Sequence, residues 1–202
     1  KDLDDRVRGI DAALEDLAQW FPNLPHGSVP RGDESHNEIL RSWGEPVRHP
    51  FAARVHDELG AALGLFDFER ATRMSGPGFA VFTGMGARLE RALIHFMLDL
   101  HVKEHGYTEV STPFLVKPEA ARGTGQLPKL AEDMYRTDVD GLYLIPTAEV
   151  SITNLYAQET LEEESLPIRH VGYSPCFRRE AGSYGKDTRG LTRIHQFDKG
   201  EV

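Results

Sequence analysis

Apolar positions along this chain recur first with a helical period and later with a strand period. Over residues 1–20, KDLDDRVRGIDAALEDLAQW, Leu3, Val7, Ile10, Leu14 and Leu17 stand at alternating steps of four and three, with charged residues between them. That is the a/d seam of a coiled coil, a narrower stripe than a helix lying on a globular core would show. So short a seam needs a partner helix, from a second copy or from a segment upstream. FPNLPHGSVPRGDESHNE follows, rich in proline and glycine, and reads as an extended linker with a domain boundary near residue 50. ARLERALIHFMLDLHVKEHG is the clearest helix. Leu89, Ala92, Leu93, Phe96, Met97 and Leu100 share one face, and Gly106 is a natural stop.

Strand-like stretches come next. YTEVSTPFLV predicts a strand with Pro113 at an edge or break, and LYLIPTAEVSI predicts a second. IRHVGYSPCFRRE and LTRIHQFDKGEV predict a third and fourth, joined as a hairpin across a Gly-rich, charged loop. The expected fold class is α+β, an antiparallel sheet with helices packed on one side.

Composition narrows the function. A chain of 202 residues supports one sizeable core. Lys and Arg number 23 against 32 Asp and Glu, a net charge of −9, so no basic blanket for nucleic acid exists and any such contact must be local. The single cysteine, Cys176, excludes a disulfide framework and a multi-cysteine zinc site, and suits a cytoplasmic location. GPGFAVFTGMGARLER is glycine-rich before a helix but lacks the Gly-Lys-Ser/Thr ending of a phosphate loop. His101 and His105 lie one helical turn apart with no carboxylate to complete a metal site.

The hairpin carries charges where a plain one would carry Val, Ile or Thr. By strand alternation Arg178 and Glu180 share a face, as do Arg193, His195, Phe197 and Glu201, and on the earlier strand Thr147 and Glu149. If the sets face one side of one sheet, they make a polar cleft. A ladder of cross-strand Arg–Glu pairs on a solvent face is one explanation. A ligand with anionic and cationic ends is the other: arginine forks onto phosphate or carboxylate, glutamate holds an ammonium group, and Phe197 stacks on a flat heterocycle. A nucleotide together with an amino acid fits that description.

LYLIPTAEV, SPCFRREAGSYGKDTRGLTRIHQFDKGEV and GYTEVSTPFLV resemble the seryl-tRNA synthetases, which are class II aminoacyl-tRNA synthetases; PNLPH, WGEP, GTGQLPK and EDMY add to the likeness. The resemblance covers essentially the whole chain. It implies ATP-dependent activation of L-serine and its transfer to tRNA(Ser) by a cytoplasmic homodimer, with Mg2+ accompanying ATP. Arg178 would be catalytic, binding the α-phosphate and the serine carboxylate. Thr147, Ala148, Glu149 and Glu201 would hold serine. Arg179, Glu180, Ile194, His195, Gln196 and Phe197 would line the ATP site, with Glu180 on the adenine amino group and Phe197 stacked on its ring. Residues 181–190 would lie near the acceptor end of tRNA, and the helix with the Pro113 region would form the dimer interface.

The resemblance also implies domains: 1–20 the remnant of a coiled-coil tRNA-binding arm, 21–50 a linker, and 51–202 the N-terminal part of a catalytic domain. The rest of the arm and the family's third motif would lie outside the chain. Arg179 and Gly200 stand where Ser and a branched apolar residue are expected. Two other readings remain: a non-catalytic nucleotide-binding or dimerisation piece, and a ligase that charges a carrier protein, which the single cysteine and the arm remnant disfavour.

Overall fold

The computed structural model describes residues 2–181 and 189–202. They divide into one unit ending at Ala53 and a second running from Arg54 to Val202. In the first, helix α1 (Asp2–Ala18) opens with Asp2, Asp4 and Asp5, carboxylates that a helix N-terminus favours. Its seam residues Leu3, Val7, Ile10, Leu14 and Leu17 are all exposed. The rest of this unit is irregular but for a short turn at Glu34–His36, where the Asp33 side chain accepts the Ser35 N–H.

The second unit begins with α2 (His56–Ala62), β1 (Phe66–Asp67), α3 (Phe68–Ser75), β2 (Val81–Phe82) and the long α4 (Met85–Glu104). Helix α4 ends where Gly106 takes a φ of 70°, the left-handed conformation that glycine adopts without strain. The face of α4 turned inward is Gly86, Glu90, Ile94 and Leu98, spaced four apart. The stripe of Leu89, Leu93, Phe96 and Met97 lies on another face and is exposed. Backbone fit decides this: a Cβ at Gly86 would lie 1.9 Å from the Leu65 carbonyl oxygen, so only glycine lets the helix approach on that side.

Then come β3 (Thr108–Glu109), β4 (Leu115–Val116), α5 (Pro118–Gly123), β5 (Tyr143–Leu144), α6 (Glu149–Thr153), β6 (His170–Phe177) and β7 (Gln196–Glu201). The fold is α+β. Strands β6 and β7 form the expected antiparallel hairpin, from Gly172 opposite Glu201 to Phe177 opposite Gln196. Strand β3 adds to β6 in parallel, which the sequence did not suggest. The segment from β4 to α6 supplies the long connection that parallel pairing requires.

The expected strand YTEVSTPFLV is split around Pro113 into β3 and β4, which belong to different sheets. LYLIPTAEVSI is a strand only at Tyr143–Leu144 and becomes helical at Glu149. Pro146 cannot donate to a ladder, and beyond it Ile152 N–H bonds back to Ala148 O at 2.9 Å while Ser151 Oγ caps Pro113 O at 2.6 Å. Fully buried Ile145 joins the pieces, donating its N–H to Phe114 O and accepting from Phe177 N–H, each at 2.9 Å. It packs with Val116 and Val150, beside a second cluster of Ala121, Leu127 and Met134.

Candidate active site

Alternation along the hairpin separates two faces. Gly172, Ser174 and Cys176 lie with Glu201, Lys199 and Phe197 on one; Tyr173, Pro175 and Phe177 lie with Gly200, Asp198 and Gln196 on the other. Helix α4 packs on the second, where Asp198 meets Glu90 and accepts the Tyr173 hydroxyl at 2.9 Å. The polar cluster occupies the first. Beneath it Ser174 and Cys176 are wholly buried, and burial pushes the Cys176 thiol up, so it is no nucleophile.

Thr147, buried in the turn before α6, donates its hydroxyl to Glu201 Oε2 at 2.6 Å. Lys199 reaches both, 2.6 Å from the same carboxylate oxygen and 3.1 Å from Thr147 Oγ1. Burial alone would raise the Glu201 carboxyl. The hydrogen bonds from Lys199, Thr147 and the Glu149 backbone outweigh it, and the carboxyl is held below its ordinary value. Glu149 therefore enters the site through its N–H, while its side chain is exposed. Thr147 and Glu149 do not share a strand face, because the strand ends at Leu144 and α6 begins at Glu149.

Arg178 follows the last residue of β6. Its Nε donates to Pro146 O at 3.3 Å, and its guanidinium carbon sits 5.0 Å from the centre of the Phe197 ring. Its backbone is held twice by His195: Arg178 N–H donates to His195 O, and His195 Nδ1–H donates to Arg178 O, both at 2.9 Å. Arg178, Thr147, Glu180, Arg193, Asp133 and Met134 line a pocket of about 350 Å³. Glu180, at a φ of 51°, pairs with Arg193 at 2.9 Å.

Other sequence-derived residues lie differently. Arg179 is exposed and its N–H is bound by Asp133 O; Gln196 is exposed; the His195 ring packs by Phe79. Arg193 and His195 precede β7, so strand alternation does not place them. Ile194 is buried and, with Phe197, borders a second pocket of about 400 Å³, apolar and walled by Leu89, Leu93 and Met97. Of residues 181–190, those from 182 to 188 lie outside the described residues.

Lys199 and Asp133 escaped the sequence reading. Lys199 stands between Phe197 and Glu201 at the same two-residue period, a signal that was available. Asp133, whose carboxylate accepts the Ala181 N–H at 2.8 Å, is brought in only by tertiary structure. Among the described residues no group of three or more His, Cys, Asp or Glu could hold a metal ion.

The arrangement is one for holding, with guanidinium groups beside a charged carboxylate and a buried hydroxyl. Residues 133–202 match the tRNA synthetase class II core domain (G, H, P, S and T). The chain is 58% identical over 202 residues to the serine–tRNA ligase of Methylacidiphilum infernorum, covering all of this chain and 48% of that one. It superimposes on the seryl-tRNA synthetase of Pyrococcus horikoshii complexed with ATP with a TM-score of 0.91 at 34% identity, over 98% of this chain and 49% of the other. For the cytoplasmic serine–tRNA ligase of Naegleria fowleri in complex with AMP the TM-score is 0.87 at 30% identity, over 98% and 47%. Residues 133–202 thus carry the class II core domain, and the whole chain has the fold of the seryl-tRNA synthetases on which it superimposes. Within that class the chain is, over its whole length, a homologue of the serine–tRNA ligases, and it spans about half the length of the curated relatives it matches.

Proposed function

We propose that this chain supplies the nucleotide and amino-acid cradle of an enzyme that activates L-serine with ATP and transfers it to tRNA(Ser). The observation that carries this reading is the convergence of Thr147, Lys199 and Glu201 within hydrogen-bond distance, beside the pocket that Thr147 lines together with Arg178. Arg178 takes the α-phosphate and the serine carboxylate, neutralising charge as one attacks the other. Glu201 and Thr147 hold the serine ammonium and hydroxyl, with Ala148 and the Glu149 N–H completing the turn. Glu180 faces the adenine amino group and Phe197 its ring, with Arg179, Ile194, His195 and Gln196 shaping the walls or their supports. Catalysis is then positioning and charge neutralisation, with no protein nucleophile. Mg2+ would enter with the ATP phosphates, as such ions commonly do.

The same reading makes residues 1–20 the remnant of a tRNA-binding arm, 21–50 a linker and 51–202 part of the catalytic domain. It carries homodimerisation, supported by the exposed stripe of Leu89, Leu93, Phe96 and Met97 on α4, and a cytoplasmic location. Pyrophosphate exchange into ATP tests it: exchange that requires serine, is not supported by threonine and is lost in Arg178→Ala supports the reading. ATP binding with no exchange favours instead a nucleotide-binding, dimerising piece, for which the α4 stripe is the specific support.

A further inference from the structure

Among the described residues lining the pocket none comes from helix α2, yet three consecutive residues of that helix grip the chain just beyond residue 188. Arg189 Nε donates to Asp57 Oδ2 at 2.6 Å and its terminal nitrogen to Glu58 Oε1 at 2.9 Å. His56 Nε2 accepts the Leu191 N–H at 2.8 Å. Between them Gly190, at a φ of 62°, turns so tightly over His56 that a Cβ there would lie 2.2 Å from the imidazole Nε2. These contacts join residues more than 130 positions apart in sequence, which helix propensity alone would not require.

The helix is itself anchored. Its Gly60 abuts the Phe66 ring, where a Cβ would come within 1.8 Å, and Gly60 O accepts the Leu65 N–H at 2.8 Å. Leu65 O in turn accepts Thr83 N–H at 2.8 Å, tying α2 to the start of α4. Beyond Leu191 the return arm places Arg193 opposite Glu180, then fixes His195 through its N–H to Gly78 O at 2.7 Å. On the near side, Asp133 binds the N–H groups of Arg179 and Ala181.

We propose that His56, Asp57 and Glu58 are positioning residues: a clamp on the return arm of the hairpin that holds Arg193 against Glu180 at the wall of the pocket. The clamp acts through Arg189 and Leu191. Its two acidic residues spread the guanidinium in a fork, which fixes direction as well as distance. The effect on the pocket rests on the nucleotide-binding reading, whereas the clamp itself does not.

The test uses the 202-residue chain with Asp57→Ala, Arg189→Leu, the double variant, and Glu58→Gln. Amide hydrogen exchange at Leu191 and His195 reads the clamp without any ligand; calorimetric titration with ATP reads its consequence. In Asp57→Ala and Arg189→Leu the Leu191 amide exchanges about tenfold faster, a loss in the range of a charged, forked hydrogen bond, while amides of α4 and β6 are unchanged. ATP affinity falls by a factor of about three to ten in each single variant, and the double variant is no worse than Arg189→Leu. Unchanged exchange at Leu191, or additive losses in the double variant, overturns the proposal. Global acceleration of exchange also overturns it, since that marks a general stabiliser. If the unaltered chain binds no ATP, the functional reading falls and the local exchange at Leu191 still decides the clamp.

Discussion

Thr147 and Glu201 stand 54 positions apart in sequence and are joined by a 2.6 Å hydrogen bond. The bond links the turn ahead of α6 to the last residue of β7, and Lys199 completes it from the strand. Thr147→Val keeps the shape and removes the donor. It should lower stability by about 1–2 kcal/mol, measured by urea unfolding, because a partly buried carboxylate loses a partner.

Glu201 also has a pH signature. Its folded value lies below the ordinary 4.5, so its contribution to stability is fully present above that value and is lost as pH falls through the folded one. Urea midpoints at neutral and acid pH should therefore converge in Glu201→Gln relative to the unaltered chain. An unchanged acid-side slope in the variant would contradict the assignment.

Glu90 behaves in the opposite sense. Burial first, and the Asp198 charge second, raise its carboxyl to about 6. A raised acid favours the folded state below 4.5 and withdraws that contribution as pH climbs towards 6. Glu90→Gln should be more stable than the unaltered chain at pH 7, by on the order of 1 kcal/mol after allowance for partial exposure. A stability difference that stays constant between acid and neutral pH would count against the pairing.

Gly200 pairs with Tyr173 in the β6–β7 ladder, and a Cβ there would make ordinary contact with Met97 Cβ at 3.9 Å. Gly200→Val should stabilise the chain by about 0.5–1 kcal/mol, since valine suits a strand and loses less freedom on folding than glycine. A lowered melting temperature in this variant would show that the space beside α4 is already filled.

Gly172 is the opposite case. A Cβ there would lie 2.9 Å from Ile152 Cδ1 and 3.0 Å from Val110 O. Gly172→Ala should cost about 1–3 kcal/mol by overpacking, because the Val110 backbone cannot yield as a side chain can. Equal unfolding midpoints would mean that β3 shifts to make room.

The hairpin was legible in sequence because its two halves alternate on either side of turn residues. Its partners were less so. Glu149 reads as a strand residue because LYLIPTAEVSI is apolar as far as Pro146 and alternates polar with apolar residues after it, the period of a strand. The inward face of α4 was hidden for a related reason: Leu89, Leu93, Phe96 and Met97 outweigh Gly86 in any count of apolar residues. Yet the glycine, by admitting the Leu65 carbonyl, decides which side packs. Arg178, Glu180 and Arg193 line one pocket, Arg178 and Glu180 from beyond the end of β6 and Arg193 from ahead of β7, where strand alternation does not place them. Asp133 and the α2 residues could not be found by periodicity, since their roles arise from backbone groups distant in the chain.

The most direct test of the account is calorimetric titration of ATP into the unaltered chain and into Arg178→Ala. The account predicts saturable binding that weakens at least about tenfold in the variant, since a guanidinium on phosphate is a strong charge-assisted contact. Equal affinity in the two proteins, with the variant folded, would contradict the placement of the nucleotide beside Arg178.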